Sequence, residues 1–485
     1  MKYLSKDINE LHSLLIKGEV TPLQLVQEAI EKAKQDDNNA FEYILEKEAI
    51  EAVSHLDKYD KNNPLWGIPF VLKDNLSTKD VYTTASSNIL KGYVPTFSSE
   101  VYTRLQECGA ILIGKTTLDE FGMGGRGTSS HLGPTFNPWD RTHQHIIGGS
   151  SCGSASACAN GIVPFSIGSD TGDSVRKPAS YGGLVGFKPT WGRISRYGLF
   201  PFCSSLDHIA YFTRNVKDSA LLLNVLAGHD EKDGTSSSNP VKDYVKEMEK
   251  SVRGTSIAVI EEIINSFTDK EVKQRFDKIL AELKSRGYQI NYVHMDINLL
   301  RAIYPTYIIL SSSEATSNTA YLDGVRFGPR YPGDNYEKVI KEARTRGFST
   351  QVKKRLVFGS FSLLKENQDE LYLRAKKVRR LIINAINEIL IGNDFIFLPA
   401  SPRSAPKFNE SLPPMSDEYL IADNYLAMFN FGGEPSLTLP IGFKSNLPFG
   451  GNITGRLFEE DKVLAISREI EEITGLKNIH AEDIK

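Results

Sequence analysis

The sequence predicts an α/β protein, a large mixed β-sheet covered by helices on both faces. Three observations carry that expectation. Short apolar runs of strand length recur along the chain, stretches of helical period fall between them, and 485 residues with 40% apolar side chains exceed what one small core needs.

In chain order, Leu4, Ile8, Leu11 and Leu15 form a helical stripe, and Thr21-Pro22-Leu23-Gln24 is a capping box opening a second helix through about Ala33. GIPFVL at 67–72 and AILIG at 110–114 predict strands, the second led in by the helical segment SSEVYTRLQECG. SIAVI (256–260), YQINYV (288–293), DFIFLP (394–399) and SLTLPI (436–441) repeat the strand signal. The polar, turn-rich HDEKDGTSSSNP at 229–240 is the best connection between two patterned halves. Beyond it, DKEVKQRFDKILAELKSR and QDELYLRAKKVRRLIINAINEIL are helical with mixed-sign outer faces, which predict solvated surface, and 300–392 reads as mostly helical. No internal repeat is visible.

With 57 basic and 60 acidic residues the net charge is −3, so no global field holds nucleic acid or an anionic membrane, and any RNA role needs a partner. Cys108, Cys152, Cys158 and Cys203 show no zinc-type spacing and read as packing thiols of a reducing compartment, with no metal implied. The N-terminus MKYLSKDINELHSLL lacks a charged-then-apolar leader pattern and no window reaches eighteen apolar residues, so the expected location is the cytoplasm, away from membranes.

Residues 148–182, GGSSCGSASACANGIVPFSIGSDTGDSVRKPASYG, concentrate small and hydroxyl side chains. The run Ile162, Val163, Phe165 and Ile167 is too apolar for a flexible linker, and neither GxxxxGK[ST] nor GxGxxG is present for a phosphate cradle. GSSCG at 149–153 matches a GxSxG elbow centred on Ser151, but the preceding PWDRTHQHIIGG is polar where an elbow needs a buried strand. What is left is a pair of exposed turns, GGSSCG and GSDTGDS, joined by a small-residue helix and a short strand that bring them face to face. A serine nucleophile needs a base. His143, His145 and His208 lie in no triad-like setting, whereas Lys73 closes the apolar run Ile68–Leu72, where a sheet edge desolvates its ammonium. A structural ion pair is the other reading of Lys73.

GIPFVLKDN, GKTTLDEFGMG, GPTFNPWD, GGSSCGSASA, GSDTGDSVRKPASYGGLVGFKPTWGRISRYGL and SSLDHIAYFTRNVKDSALLL stand in this order across roughly 67–227, and together they resemble the amidase signature family. The helical entry and carboxy-terminal segments are similar too. The resemblance implies the amidase signature fold as a single domain over 1–485. It has a helical N-terminal segment of about 1–60, a signature core of about 61–228, and a helix-rich second half of about 241–392 returning to the core at 393–485. Within the family the chain is most similar to the A subunits of tRNA-dependent amidotransferases. That implies glutamine hydrolysis to supply ammonia for converting Glu-tRNA(Gln) or Asp-tRNA(Asn), alongside B and C subunits. The partner uses ATP and magnesium and makes most of the tRNA contact, and this subunit needs no cofactor. A standalone amidase on another small amide, or a scaffold subunit of the same complex, are the alternatives.

The resemblance also assigns roles. Ser174 is the nucleophile, Ser150 on a cis peptide relays the proton, and Lys73 is the base. The N–H groups of Thr171, Gly172, Asp173 and Ser174 form the oxyanion hole. Arg355 binds the glutamine α-carboxylate, Asp423 its α-ammonium, and Tyr307 lines the pocket. Asp170 and Arg176 are placed to brace the turn as an ion pair. The chain departs from the family pattern at Asp173 and Cys152, both glycine positions, and in GGRGTSS at 124–130. Asp173 brings a negative charge beside a site meant to stabilise one, and left-handed backbone there is the conformation an aspartate tolerates better than most residues.

Overall fold

Among residues 3–481, which the computed structural model describes, eleven strands form one mixed sheet. The outermost parts of the expected terminal segments, 1–2 and 482–485, lie outside the described residues. The strands are β1 (Phe41–Ile44), β2 (Pro69–Lys73), β3 (Ile111–Thr116), β4 (Phe165–Asp170), β5 (Val185–Lys188), β6 (His208–Thr213), β7 (Ser256–Ile260), β8 (Gln289–Val293), β9 (Phe395–Pro399), β10 (Ser436–Lys444) and β11 (Leu447–Thr454). Their spatial order is β1-β3-β2-β4-β6-β5-β10-β11-β9-β7-β8. β2 runs parallel to both β3 and β4, β7 parallel to β8 and β9, and the remaining pairs are antiparallel.

Successive side chains on a strand point to opposite faces, so a strand buried at every residue is covered on both. β2, β3, β4, β5, β6, β9 and β11 are buried throughout, whereas the outermost strands β1 and β8 are only partly covered. Strands from both sides of 229–240 join the same sheet, and one apolar cluster runs from Leu4 to Ile470. The 229–240 segment is itself anchored: Ser195 Oγ donates to Asp230 Oδ2 at 2.6 Å, and Asp230 N to Ser236 Oγ at 2.9 Å.

The helix starts follow their caps. Asp7 caps Ile8–Lys17, and the Thr21 hydroxyl accepts from Gln24 N at 3.2 Å while Thr21 N donates to Gln24 Oε1 at 2.8 Å, opening Pro22–Lys34. The six strands expected from apolar runs are all present. β1, β5 and β11 give weaker signals, because FEYI and VGFK are only four residues long and LPFGGNIT is broken by Gly450 and Gly451, whereas β6, HIAYFT, has strand composition but is not among the expected runs. The strand anticipated around Ile162 begins at Phe165. Helices Ile297–Asn318 and Thr350–Leu363 pack together, with Thr316 Oγ1 donating to Leu356 O at 3.2 Å, and they carry Tyr307 and Arg355 to the site. Among the described residues no helix is long and apolar enough to cross a membrane.

Candidate active site

Lys73 ends β2, an interior strand flanked by β3 and β4, and not the sheet edge that its position beside a polar segment suggested. Its burial is complete for that reason. Nζ donates to Ser150 Oγ at 2.8 Å, Ser151 Oγ at 2.9 Å, Ser169 Oγ at 2.9 Å and Ser169 O at 3.4 Å. No carboxylate lies at ion-pair distance among the described residues. The structural ion pair belongs to the next residue instead, with Asp74 Oδ1 3.0 Å from Lys115 Nζ, both fully buried. Burial pushes the Lys73 pKa down to about 8, against the raising influence of Cys152, Asp119, Asp170 and Asp207.

The peptide joining Gly149 to Ser150 is cis. Glycine is required there by close approach, since a β-carbon on residue 149 would stand 2.0 Å from Asp119 Oδ2. That carboxylate also organises the divergent GGRGTSS loop, accepting from Gly127 N (2.8 Å), Thr128 N (2.8 Å), Ser129 N (3.0 Å) and Ser129 Oγ (2.8 Å). Asp119 N in turn donates to Ser150 O at 3.1 Å.

Ser174 sits in the turn between β4 and the helix Arg176–Gly182. Both glycine-hydroxyl turns were expected to be exposed and are buried, with only Asp173 partly accessible, because Tyr307 and the Asp119 loop cover them. Ser151 N donates to Ser174 O at 3.2 Å, which ties the two turns together. Ser174 Oγ makes no hydrogen bond among the described residues, and none links it to Ser150 Oγ. The N–H groups of Thr171, Gly172, Asp173 and Ser174 are likewise without acceptors there.

Asp170 and Arg176 hold this turn open. The guanidinium donates to both Asp170 oxygens, at 3.0 and 3.2 Å, to Gly172 O at 2.7 Å and to Asn430 Oδ1 at 2.6 Å. Burial opposes the Asp170 charge, but Arg176 together with Lys188 and Val175 N–H holds the carboxyl well below the usual range. In a trans peptide C=O and N–H point opposite ways, so fixing Gly172 O against Arg176 aims Asp173 N–H away from it. Thr171 is fixed from the other side, its hydroxyl donating to Asp207 Oδ1 at 2.7 Å.

Asp173 does not adopt left-handed backbone. Its carboxylate is instead held by Lys177 Nζ at 2.8 Å, one helical turn on. The same ammonium lies 3.3 Å from Asp423 Oδ1 and donates to Asp423 O, so the acid expected to meet a substrate ammonium already has a cation at one oxygen. Burial pushes the Asp173 carboxyl up, with Lys177 opposing it, and Lys177 stays charged because two carboxylates face it. These residues, with Tyr307, Arg355 and Tyr419, line a cavity of about 680 Å³. Tyr307 lies over Gly172, where an added β-carbon would stand 3.0 Å from the phenol ring. Arg355 stacks 5.7 Å from the Tyr307 ring centre and 5.9 Å from that of Phe202, and donates to Ser311 Oγ at 3.1 Å. Among the described residues no carboxylate pairs with it.

The other candidates stand apart. His145 binds Asp140 at 2.6 Å, His143 stacks on Phe136, and His208 Nδ1 lies 2.7 Å from Leu206 O; no hydrogen bond joins any of them to Ser150, Ser151 or Ser174. Among the described residues no strand leads directly into Ser151, which rules out the elbow context, although its hydroxyl does face Lys73. Cys152 is buried and its thiol is pushed up to about 12, chiefly by burial. Sequence reasoning missed Ser169, Asn75 (which donates to Ser169 Oγ at 3.0 Å), Asp207, Asn430 and Lys177. Two were within reach: Ser169 shares a strand face with Ile167, and Lys177 stands four residues after Asp173.

The amidase family model matches residues 23–464. The A subunit of glutamyl-tRNA(Gln) amidotransferase from Sulfurihydrogenibium sp. is 37% identical over 480 residues, spanning 98% of each chain. Its namesake from Heliobacterium modesticaldum is 38% identical over 485 residues, again with 98% of each chain covered. The crystal structure of the A subunit of glutamyl-tRNA(Gln) amidotransferase from Thermotoga maritima is similar with a TM-score of 0.79 at 35% identity, over 97% of this chain and 95% of its own. A crystal structure of an amidase gives 0.81 at 30% identity, over 97% and 100%.

Proposed function

The chain belongs to the amidase family, and on that basis we propose that it is the glutamine-hydrolysing subunit of a tRNA-dependent amidotransferase. The observation that carries this reading is a buried lysine with no carboxylate partner among the described residues, whose Nζ lies 2.8 Å from Ser150 Oγ. Such an amine loses its proton near neutral pH and serves as base and then acid.

In the proposed reaction Ser174 Oγ attacks the side-chain amide carbon of glutamine. Its proton passes to Ser150 Oγ as the Ser150 proton passes to neutral Lys73. The C=O electrons move to oxygen, and the N–H groups of Thr171 through Ser174 stabilise that charge, a role for which buried donors without other acceptors are suited. On collapse the C–N bond breaks, Lys73 returns its proton through Ser150, and ammonia leaves with a glutamyl ester on Ser174. Water then adds to the ester by the same relay, releasing glutamate and free Ser174. Arg355 binds the α-carboxylate, Asp423 takes the α-ammonium through Oδ2, and Tyr307 closes the pocket over Gly172.

Relatives named as A subunits suggest the companions: B and C subunits, with ATP and magnesium used by the partner. The net charge of −3 suits a subunit that leaves most tRNA contact to that partner, in the cytoplasm where aminoacylation takes place. Ammonia release from glutamine, measured with and without the partner subunits, tests the reading. Turnover of glutamine that supports amidation of Glu-tRNA(Gln) or Asp-tRNA(Asn) is expected, and a folded complex that leaves glutamine intact would overturn it.

A further inference from the structure

Asp173 supplies one of the four turn N–H groups, so its own carboxylate is attached to the element that meets the developing oxyanion. Two observations show how that charge is managed. Lys177 Nζ stands 2.8 Å from Asp173 Oδ2 and 3.3 Å from Asp423 Oδ1, with Asp423 O as a further acceptor. The geometry is rigid at its base, because Lys177 N donates to Asp173 O at 2.9 Å in the first turn of the helix Arg176–Gly182. All three line the cavity, the Lys177 side chain 8% exposed against 17% for Asp173 and 24% for Asp423.

We propose that Lys177 is a positioning residue for amide hydrolysis, binding Asp173 and Asp423 into one unit that shields the oxyanion turn from Asp173 and leaves one net negative charge for the substrate ammonium. The role toward the ammonium rests on the glutamine reading; the shielding of the turn holds for any amide. One cation between two carboxylates leaves a single anionic charge, and Asp423 Oδ2 has no hydrogen bond among the described residues, which makes it the oxygen that meets an incoming ammonium. Removing one member changes the charge in a way that removing two does not.

The test is a four-membered cycle on the complete complex, with thermal midpoints recorded for every variant. Lys177→Gln leaves Asp173 bare beside the turn, and kcat should fall by about 10² or more, the scale of a lost oxyanion donor. Asp173→Gly leaves Lys177 to neutralise Asp423 alone, so KM for glutamine should rise about tenfold or more, with a smaller loss of kcat than in Lys177→Gln. Asp173→Gly/Lys177→Gln leaves Asp423 as the only charge, and both constants should return to within about threefold of wild type, a strong non-additivity. Lys177→Arg should recover part of kcat. A merely structural pair would make the double variant the worst of the set, in activity and in thermal midpoint, and that result would overturn the proposal, as would an unchanged kcat in Lys177→Gln. A small neutral amide separates the two readings: the kcat pattern should persist on it and the KM effect vanish. That pattern in a protein inert toward glutamine would reject the glutamine reading and keep the role of Lys177.

Discussion

Moving the pH through the Lys73 titration changes the protonation of the base without a substitution. A lysine at its ordinary 10.5 is neutral in about one molecule in 3,000 at pH 7, whereas one held at about 8 is neutral in about one of eleven. Burial therefore enlarges the proton-accepting population about 300-fold at neutral pH. Because the neutral amine is the active form, the acylation rate should rise with pH, by about fivefold from pH 7 to 8, and level off above about 9. The assay is single-turnover ammonia release at constant ionic strength, in which slow product release does not mask chemistry. Lys73→Ala should lose about 10² to 10⁴ in rate, and Lys73→Arg should not recover it, because guanidinium stays protonated. Stability carries the same signature. The folded lysine gives up its proton near 8 and the unfolded one near 10.5, so the unfolded chain binds more protons in that window and the Lys73 contribution to stability rises with pH across it. A flat acylation profile from pH 7 to 9, or an active Lys73→Arg variant, would remove Lys73 from the role of base.

Arg355→Ala should raise KM for glutamine by about 10² with a smaller change in kcat, and Arg355→Lys should recover little, since only the planar fork stacks between Tyr307 and Phe202 while meeting a carboxylate in two places; steady-state kinetics on glutamine decides this. Asp170→Asn strands the buried Arg176 charge and should cost about 3–5 kcal/mol in denaturant unfolding, whereas an exposed ion pair such as Lys338–Asp334 should cost under about 1. Gly149→Ala drives a methyl to 2.0 Å from the Asp119 carboxylate, so both activity and the protection of the 127–129 amides from hydrogen exchange should fall; unchanged exchange there would contradict the assigned role of Asp119.

What the sequence disclosed and what it withheld divide along physical lines. Long apolar runs such as GIPFVL and DFIFLP announced their strands because burial on both faces leaves no polar alternation to confuse them. β11 stayed hidden because glycines occupy the positions where side chains would carry the pattern, yet it is an interior strand between β10 and β9. Lys73 stood out as a lone cation ending an apolar run, but whether it sat at an edge or inside depended on pairing with β3 and β4, which is non-local. Asp170 and Arg176 were legible as a pair six residues apart, whereas the Asn430 amide that completes their cage comes from 254 residues past Arg176 and leaves no local mark. Asp173 invited an explanation in its own backbone, and the answer lay one turn downstream in Lys177.

The proposed chemistry turns on a covalent ester between Ser174 and the glutamyl group, which mass spectrometry of the intact complex can detect as such. The protein is treated with a glutamine analogue bearing a chloromethyl ketone in place of the side-chain amide, which alkylates the attacking oxygen with loss of chloride and leaves a stable ether, then digested and mapped. One adduct is expected, on the peptide containing Ser174, absent from Ser174→Ala and retained in Ser151→Ala and Cys152→Ala. Ser151 is the sharpest competitor, since its hydroxyl lies 2.9 Å from Lys73 Nζ against 2.8 Å for Ser150. An adduct on Ser151 or Cys152 that survives Ser174→Ala would contradict the nucleophile, the relay through Ser150 and the oxyanion turn together.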